Sequence, residues 1–266
     1  MDQCVLPAVA ISEFSDISMT DDPSARDETS ALPPQDRKRM APASPAGAAQ
    51  VFGDRLILAE QFAAILADSG VSHGLIGPRE VPRVWERHVL NCAVIHPAIP
   101  TGQMVIDVGS GAGLPGLALA IARPDLELHL IEPMLRRTSW LTMAVAELGL
   151  TNVRVHRGRA EQFWGTLRAP VVTARAVARL GELAGWCLPL LLPGGCMLAL
   201  KGSSVMEELD ASRAALRRLG VVDAVVERFG AGLVDPETTV LRVVLGDVPT
   251  QRAVVKKSGA RGKKRG

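Results

Sequence analysis

The stretch MVIDVGSGAGLPG, Met104 to Gly116, decides how this chain folds. A short apolar run, Met104–Val108, is long enough for one buried strand, and it passes without a break into Gly109, Gly111 and Gly113. Missing side chains there let the backbone turn tightly and approach a ligand closely. A helical pattern follows from near Leu114. Strand, glycine turn and helix together form the opening half of a parallel βαβ unit.

Downstream, further strand candidates recur at Glu127–Ile131, Val153–His156, Pro170–Ala174 and Cys196–Leu200, with helical patterns between them. The last two, Val221–Glu227 and Thr238–Leu245, are joined only by a short loop, which suits an antiparallel hairpin and not a crossover. The expected fold is α/β, Rossmann-like: a mostly parallel seven-stranded sheet with an antiparallel last strand. Upstream, Asp54 is expected to cap a helix burying Leu58, Phe62, Ile65 and Leu66 and ending at Gly70. A second helical stretch near Val81–His96 carries Trp85, Arg87 and His88. The division expected is a disordered N-terminal extension over 1–50, a small helical prelude over 51–100, the catalytic domain over 101–247 and a basic disordered tail over 248–266.

Twenty-three residues after Gly109, the second strand ends at Glu132, a carboxylate able to accept both hydroxyl protons of a ribose. The spacing G-x-G-x-G departs from the G-x-G-x-x-G preferred by pyrophosphate binders. It favours an adenosine cofactor without phosphates, S-adenosylmethionine. Asp107 either attracts the cationic part of that cofactor or simply caps the turn.

Ligands of an open parallel sheet sit at the carboxyl ends of the strands, where strand order reverses. The strand ends here are the glycine turn, Glu132, the run from Gly158 to Glu161, Arg175 and Lys201, with Arg136 and Arg137 close behind Glu132. A basic rim of this kind suits an anionic substrate, with nucleic acid the foremost choice. Alternatively Arg175 pairs with Glu161 or Asp107, Lys201 is a solvated strand end, and His88 is a packed residue.

Composition narrows the remaining classes. The net charge is +2, but residues 1–40 hold eight acids against four bases while 251–266 hold seven bases and no acid, a phosphate-seeking arm. Cys4, Cys92, Cys187 and Cys196 lie too far apart for a C-x-x-C metal or redox motif, so no metal site is expected. No apolar run reaches membrane-spanning length and no export signal opens the chain, so a cytoplasmic protein is expected. With no Tyr, five Phe and four Trp, stacking platforms for bases are scarce; Trp85, Trp140, Trp164 and Trp186 are read as core.

The chain resembles the guanine-N7 methyltransferases of bacterial 16S ribosomal RNA, the RsmG or GidB family. The resemblance runs from about Trp85 to Leu245 and rests on RHVLNC at Arg87–Cys92, DVGSGAGLPGLALAIARPD at Asp107–Asp125, RGRAEQF at Arg157–Phe163, TARAVARL at Thr173–Leu180 and LALKG at Leu198–Gly202. It implies a class I methyltransferase in which Gly109 and Leu114 line S-adenosylmethionine, Ala160 and Glu161 hold its adenine side and Arg175 closes over it, beside the Gly111, Gly113 and Glu132 already read as cofactor-binding from the turn and the strand end. Arg87, His88, Arg136, Arg137 and Lys201 would then face RNA, with Arg175 and Lys201 positioning and no residue acting as acid, base or nucleophile. The implied partner is the small ribosomal subunit, and a monomer is expected. Two departures stand out: Asn91 and Cys92 replace the Asp-Ser of many members, and Thr238 and Thr239 follow Glu237 where many read Arg-His. The first removes any role for an acid there and the second removes a basic RNA contact. Three rivals remain: a nicotinamide-dependent oxidoreductase, a non-catalytic assembly factor, and a methyltransferase acting on another RNA, a protein or a small molecule.

Overall fold

The computed structural model describes residues 39–175 and 178–247. The expected alternation closes into one seven-stranded sheet of order β3-β2-β1-β4-β5-β7-β6. The strands are β1 (Met104–Val108), β2 (Glu127–Glu132), β3 (Val153–Arg157), β4 (Ala169–Arg175), β5 (Leu191–Leu200), β6 (Val221–Phe229) and β7 (Thr238–Leu245). The first five pair in parallel, whereas β7 runs antiparallel to both β5 and β6. A doubly wound dinucleotide sheet has the order 3-2-1-4-5-6. Here β7 wedges between β5 and β6, which separates this architecture from the oxidoreductase alternative. Strand order reverses at β1, between β2 and β4, which fixes where a ligand belongs.

Alternation along the strands sorts side chains onto two faces. Val105, Leu128, Leu130 and Val153 enter one core with the prelude, α4 (Gly116–Ala122) and α5 (Leu135–Glu147). Ile106, Val108, Ile131, Val172 and Ala174 enter the other with α6 (Leu180–Cys187) and α7 (Val205–Arg218). Every residue of α4 from Gly116 to Ile121 is buried, because the helix lies between sheet and prelude. That is why its sequence, GLALAIA, has no polar face. Burial of Leu117, Leu119 and Ile121 stabilises this sandwich by roughly 1.5–3 kcal/mol each.

The prelude departs from its expected outline. A helix, α1 (Ala46–Phe52), begins inside the stretch read as disordered and runs past its end, and it buries Ala48, Val51 and Phe52. Trp85 secures the chain further upstream by donating from its indole nitrogen to the Pro42 carbonyl at 3.0 Å. Folded structure therefore starts before residue 50; the stretches 1–38 and 248–266 lie outside the described residues. Asp54 makes no capping bond and sits in a short 3-10 turn, Gly53–Arg55, ahead of α2 (Leu56–Ile65). Phe62, Ile65 and Leu66 are buried as expected, with Leu58 partly so. The second stretch is a chain of short turns: Pro78–Arg83, then Trp85–Val89 with a wider helical turn, then α3 (Leu90–Ala93). Arg123 clasps the prelude to the sheet, donating to both Asp125 oxygens at 2.7 Å and to the carbonyls of His96 and Ile99. Among the described residues no helix is long and apolar enough to cross a membrane.

Candidate cofactor and substrate cleft

Gly109, Gly111 and Gly113 take φ values of 70°, 54° and 77°, a region that side chains disfavour. This left-handed run turns β1 back onto α4. The backbone N–H groups of Gly109 and Ser110 donate to the Ile131 carbonyl at 2.8 and 3.2 Å, which stitches the turn to the end of β2. A Cβ on Gly113 would run into the Leu117 side chain, while one on Gly111 would meet only the Gly109 carbonyl at 3.8 Å and otherwise point into open space. That open space is the cleft.

Asp107 is wholly buried beneath the turn. Its Oδ2 accepts from Ser110 Oγ at 2.6 Å and from the Gly116 N–H at 3.1 Å, and its Oδ1 accepts from Thr173 Oγ1 at 3.1 Å. Burial pushes its carboxyl up to about 6, and these three donors oppose that only in part. Of the two roles considered for Asp107, anchoring the turn is the one its contacts serve.

Glu132 is also buried, and its carboxylate spans the mouth of the turn. Oε2 accepts from the Gly111 N–H at 3.1 Å and Oε1 from the Met134 N–H at 3.0 Å. A guanidinium nitrogen of Arg137 stands 3.7 Å from Oε2, and the buried Arg137 Nε has no acceptor among the described residues. These groups line a cleft of about 390 Å³ together with Leu75, Ile76, His88, Leu114, Pro133 and Arg175. The volume falls in the range of small-ligand sites. A larger groove of about 910 Å³ lies on the opposite rim, at the amino ends of β4 and β5. Half of its lining is Pro, Gly and Leu; of its charged residues Arg242 and Glu227 are bonded to each other at 2.9 Å and Arg228 is exposed.

Arg175 is brought to the cleft as expected, but it bonds neither Glu161 nor Asp107. It reaches across to the prelude, donating to the Arg87 carbonyl at 2.6 Å, to His88 Nδ1 at 3.1 Å and to Cys92 Sγ at 2.9 Å. His88 is not free for RNA, since its other ring nitrogen meets Glu80 Oε2 at 3.0 Å and the residue is 9% exposed. Lys201 also differs from expectation. Its ammonium is bonded to Glu208 Oε2 at 2.8 Å and to the Ala178 carbonyl at 2.9 Å, with the side chain 8% exposed, so it ties α7 to the segment after β4 and faces inward. Ala160 is buried at the start of the turn Ala160–Phe163 and Glu161 is exposed beside it; neither lines the cleft. Arg136 and Arg87 are exposed, the latter paired with Glu80 at 3.3 Å.

Several contributors escaped the sequence reading. Leu75 and Ile76 supply a wall from a loop with no periodicity; the only local hint is that Gly74 and Gly77 bracket them. Cys92, read as a loss, is an Arg175 partner. The two departures in sequence also meet in space, because Thr238 Oγ1 donates to the Asn91 carbonyl at 2.9 Å.

Comparison with known proteins agrees with this geometry. The profile of the GidB family, described as rRNA small subunit methyltransferase G, matches residues 56–237. A Streptomyces avermitilis protein named Ribosomal RNA small subunit methyltransferase G is 55% identical over 209 residues, covering 78% of this chain and 88% of its own. Its namesake from Thermobifida fusca is 57% identical over 198 residues, covering 74% and 84%. The Streptomyces coelicolor protein of that name is 52% identical over 232 residues, covering 85% and 97%.

Proposed function

The chain belongs to the GidB family, rRNA small subunit methyltransferase G, and is an S-adenosylmethionine-dependent methyltransferase; on that premise we propose that it methylates N7 of a guanine in 16S ribosomal RNA of the small subunit. The observation that carries this reading is the convergence of glycine turn, Glu132 and Arg175 on one cleft at the point where strand order reverses.

The residues present fit S-adenosylmethionine. Gly111 leaves room where any Cβ would project. In this reading the Glu132 carboxylate, which lines the cleft, accepts the ribose hydroxyls, and Leu75, Ile76, Leu114, Pro133 and Met134 offer apolar sides to a purine. Arg137, whose Nε has no acceptor among the described residues, adds a donor beside the cleft. When bound, the cofactor supplies a sulfonium-activated methyl group. Guanine N7 offers its lone pair at neutral pH without losing a proton, so the protein needs no general base. What remains for the side chains is to hold two reactants in line and keep water out. The thiols agree with this division of labour: burial pushes both Cys92 and Cys187 up, which disfavours the thiolate and with it a nucleophilic role.

Exposed Arg87 and Arg136, with Arg137 behind them, are assigned to RNA phosphates, and the target guanine is expected to leave its stack to enter the cleft. The enzyme is assigned to the cytoplasm as a monomer. The deciding assay incubates purified protein and labelled S-adenosylmethionine with small subunits from cells lacking the modification, followed by nucleoside mass analysis. The expected product is 7-methylguanosine from 16S RNA; label in another nucleoside, in protein or in no macromolecule refutes the assignment.

A further inference from the structure

We propose that His88 is a positioning residue of the cofactor cleft, whose Nδ1 lone pair holds the Arg175 guanidinium in place. The inference rests on the reading of the cleft as the S-adenosylmethionine site. Arginine only donates and keeps its proton, so the ring nitrogen 3.1 Å from it must be the acceptor. The ring proton then belongs on Nε2, where it is donated to Glu80 at 3.0 Å. One neutral tautomer satisfies both contacts. Together with the Arg87 carbonyl and Cys92 Sγ, His88 clamps Arg175 from a single short stretch of the prelude. Of these acceptors, His88 alone takes up a proton on mild acidification.

The charged and titratable groups around the ring are Glu80 from the turn Pro78–Arg83, neighbouring Arg87, Arg175 from β4 and Cys92 from α3. Asp107 of β1 acts on Arg175, and Glu132 and Arg137 share the cleft. Burial first and Arg175 second hold the His88 imidazole below its ordinary range, with Glu80 opposing. A proton on Nδ1 would set two donors and two like charges against each other, so Arg175 must withdraw. Protonation of His88 therefore disorders the arginine at the cleft without itself touching the glycine turn, whose Asp107 anchor titrates separately.

The test is calorimetric titration of the full-length protein with S-adenosylhomocysteine from about pH 5.5 to 8. In the wild type the affinity is expected to be level at the alkaline end and to fall roughly ten-fold toward the acid end. His88→Asn puts an amide oxygen where Nδ1 stands; it should bind within about three-fold of wild type at neutral pH and lose most of the acid fall, leaving only what Asp107 contributes. His88→Gln reaches toward Glu80 but leaves Arg175 without its acceptor, and should bind roughly ten-fold more weakly across the range. Wild-type affinity in the Gln variant, or a full acid fall in the Asn variant, overturns the inference while the cofactor reading stands. No binding by wild type at any pH removes the cofactor reading and this inference with it. Should the variants not fold, nitrogen-15 NMR of the wild-type imidazole decides: an Nε2–H tautomer at neutral pH supports the proposal, and an Nδ1–H tautomer or an imidazolium overturns it.

Discussion

Replacing Asp107 with asparagine separates an anchor of the glycine turn from a charge held ready for a ligand. In the folded protein the carboxyl sits at about 6 instead of 3.8. A raised folded-state value means that the native state takes up a proton more readily than the unfolded chain. Its stabilising contribution is full below 3.8 and is lost as pH rises through about 6. Integrating between about pH 7.5 and about pH 4.5 gives roughly 2 kcal/mol. The amide of the Asp107→Asn variant has no such titration, yet its oxygen can keep the Ser110 and Gly116 donors and the Thr173 hydroxyl can rotate to accept from the new NH₂. The wild-type-minus-variant difference in stability should therefore rise by about 2 kcal/mol from near neutrality to the acid end. In a domain of this size that is about 4–8 °C in Tm. Paired thermal melts of the two proteins in matched buffers cancel the titration of all other groups. A wild-type-minus-variant difference that stays flat over this range would refute the buried-anchor reasoning.

Other substitutions probe the neighbouring contacts. Gly116→Ala places a Cβ against the Leu130 side chain and 2.8 Å from Asp107 Oδ2, and should cost roughly 1–3 kcal/mol in a urea melt; an unperturbed midpoint would show that the turn has slack. Glu132→Gln turns an NH₂ toward either the Gly111 or the Met134 N–H, with an expected loss of about 1–3 kcal/mol in stability and at least about ten-fold in S-adenosylhomocysteine affinity. Equal affinity by calorimetry would remove Glu132 from the site. Lys201→Met breaks the bonds to Glu208 and the Ala178 carbonyl, so denaturation should shift by roughly 1–3 kcal/mol while kcat/KM on RNA, corrected for folded fraction, stays level. A selective loss of RNA turnover would restore Lys201 to the substrate surface.

Much of the scaffold could be read from the chain because it depends on local patterns. Short apolar and β-branched runs marked β1 and β7 at their observed ends, and glycines sitting after an apolar strand located the cleft. Glu132 and Arg175 were legible for the same reason: each closes a strand, and all strand ends of a parallel sheet share a rim. Elements whose signal is diluted were missed. α1 hides its buried Val51 and Phe52 behind a run of small residues, and β5 starts five positions before Cys196 through a segment containing Pro193, Gly194 and Gly195. Side-chain direction at the rim was harder still. Lys201 faces inward because α7 folds back to bring Glu208 beside it, and His88 is held by residues 8 before and 87 after it in the chain. Such pairings come from tertiary closure, and no spacing rule announces them.

The proposal that the methyl donor sits in the cleft between the glycine turn and Glu132 is the one on which every other assignment depends. A crystal structure of the protein with S-adenosylhomocysteine measures this directly. The predicted result is ribose density against the Glu132 carboxylate, the purine between Leu114 and Met134, and Arg175 still joined to His88. Density for the ligand at any other place, or a cleft filled by the protein's own side chains under saturating ligand, would contradict it.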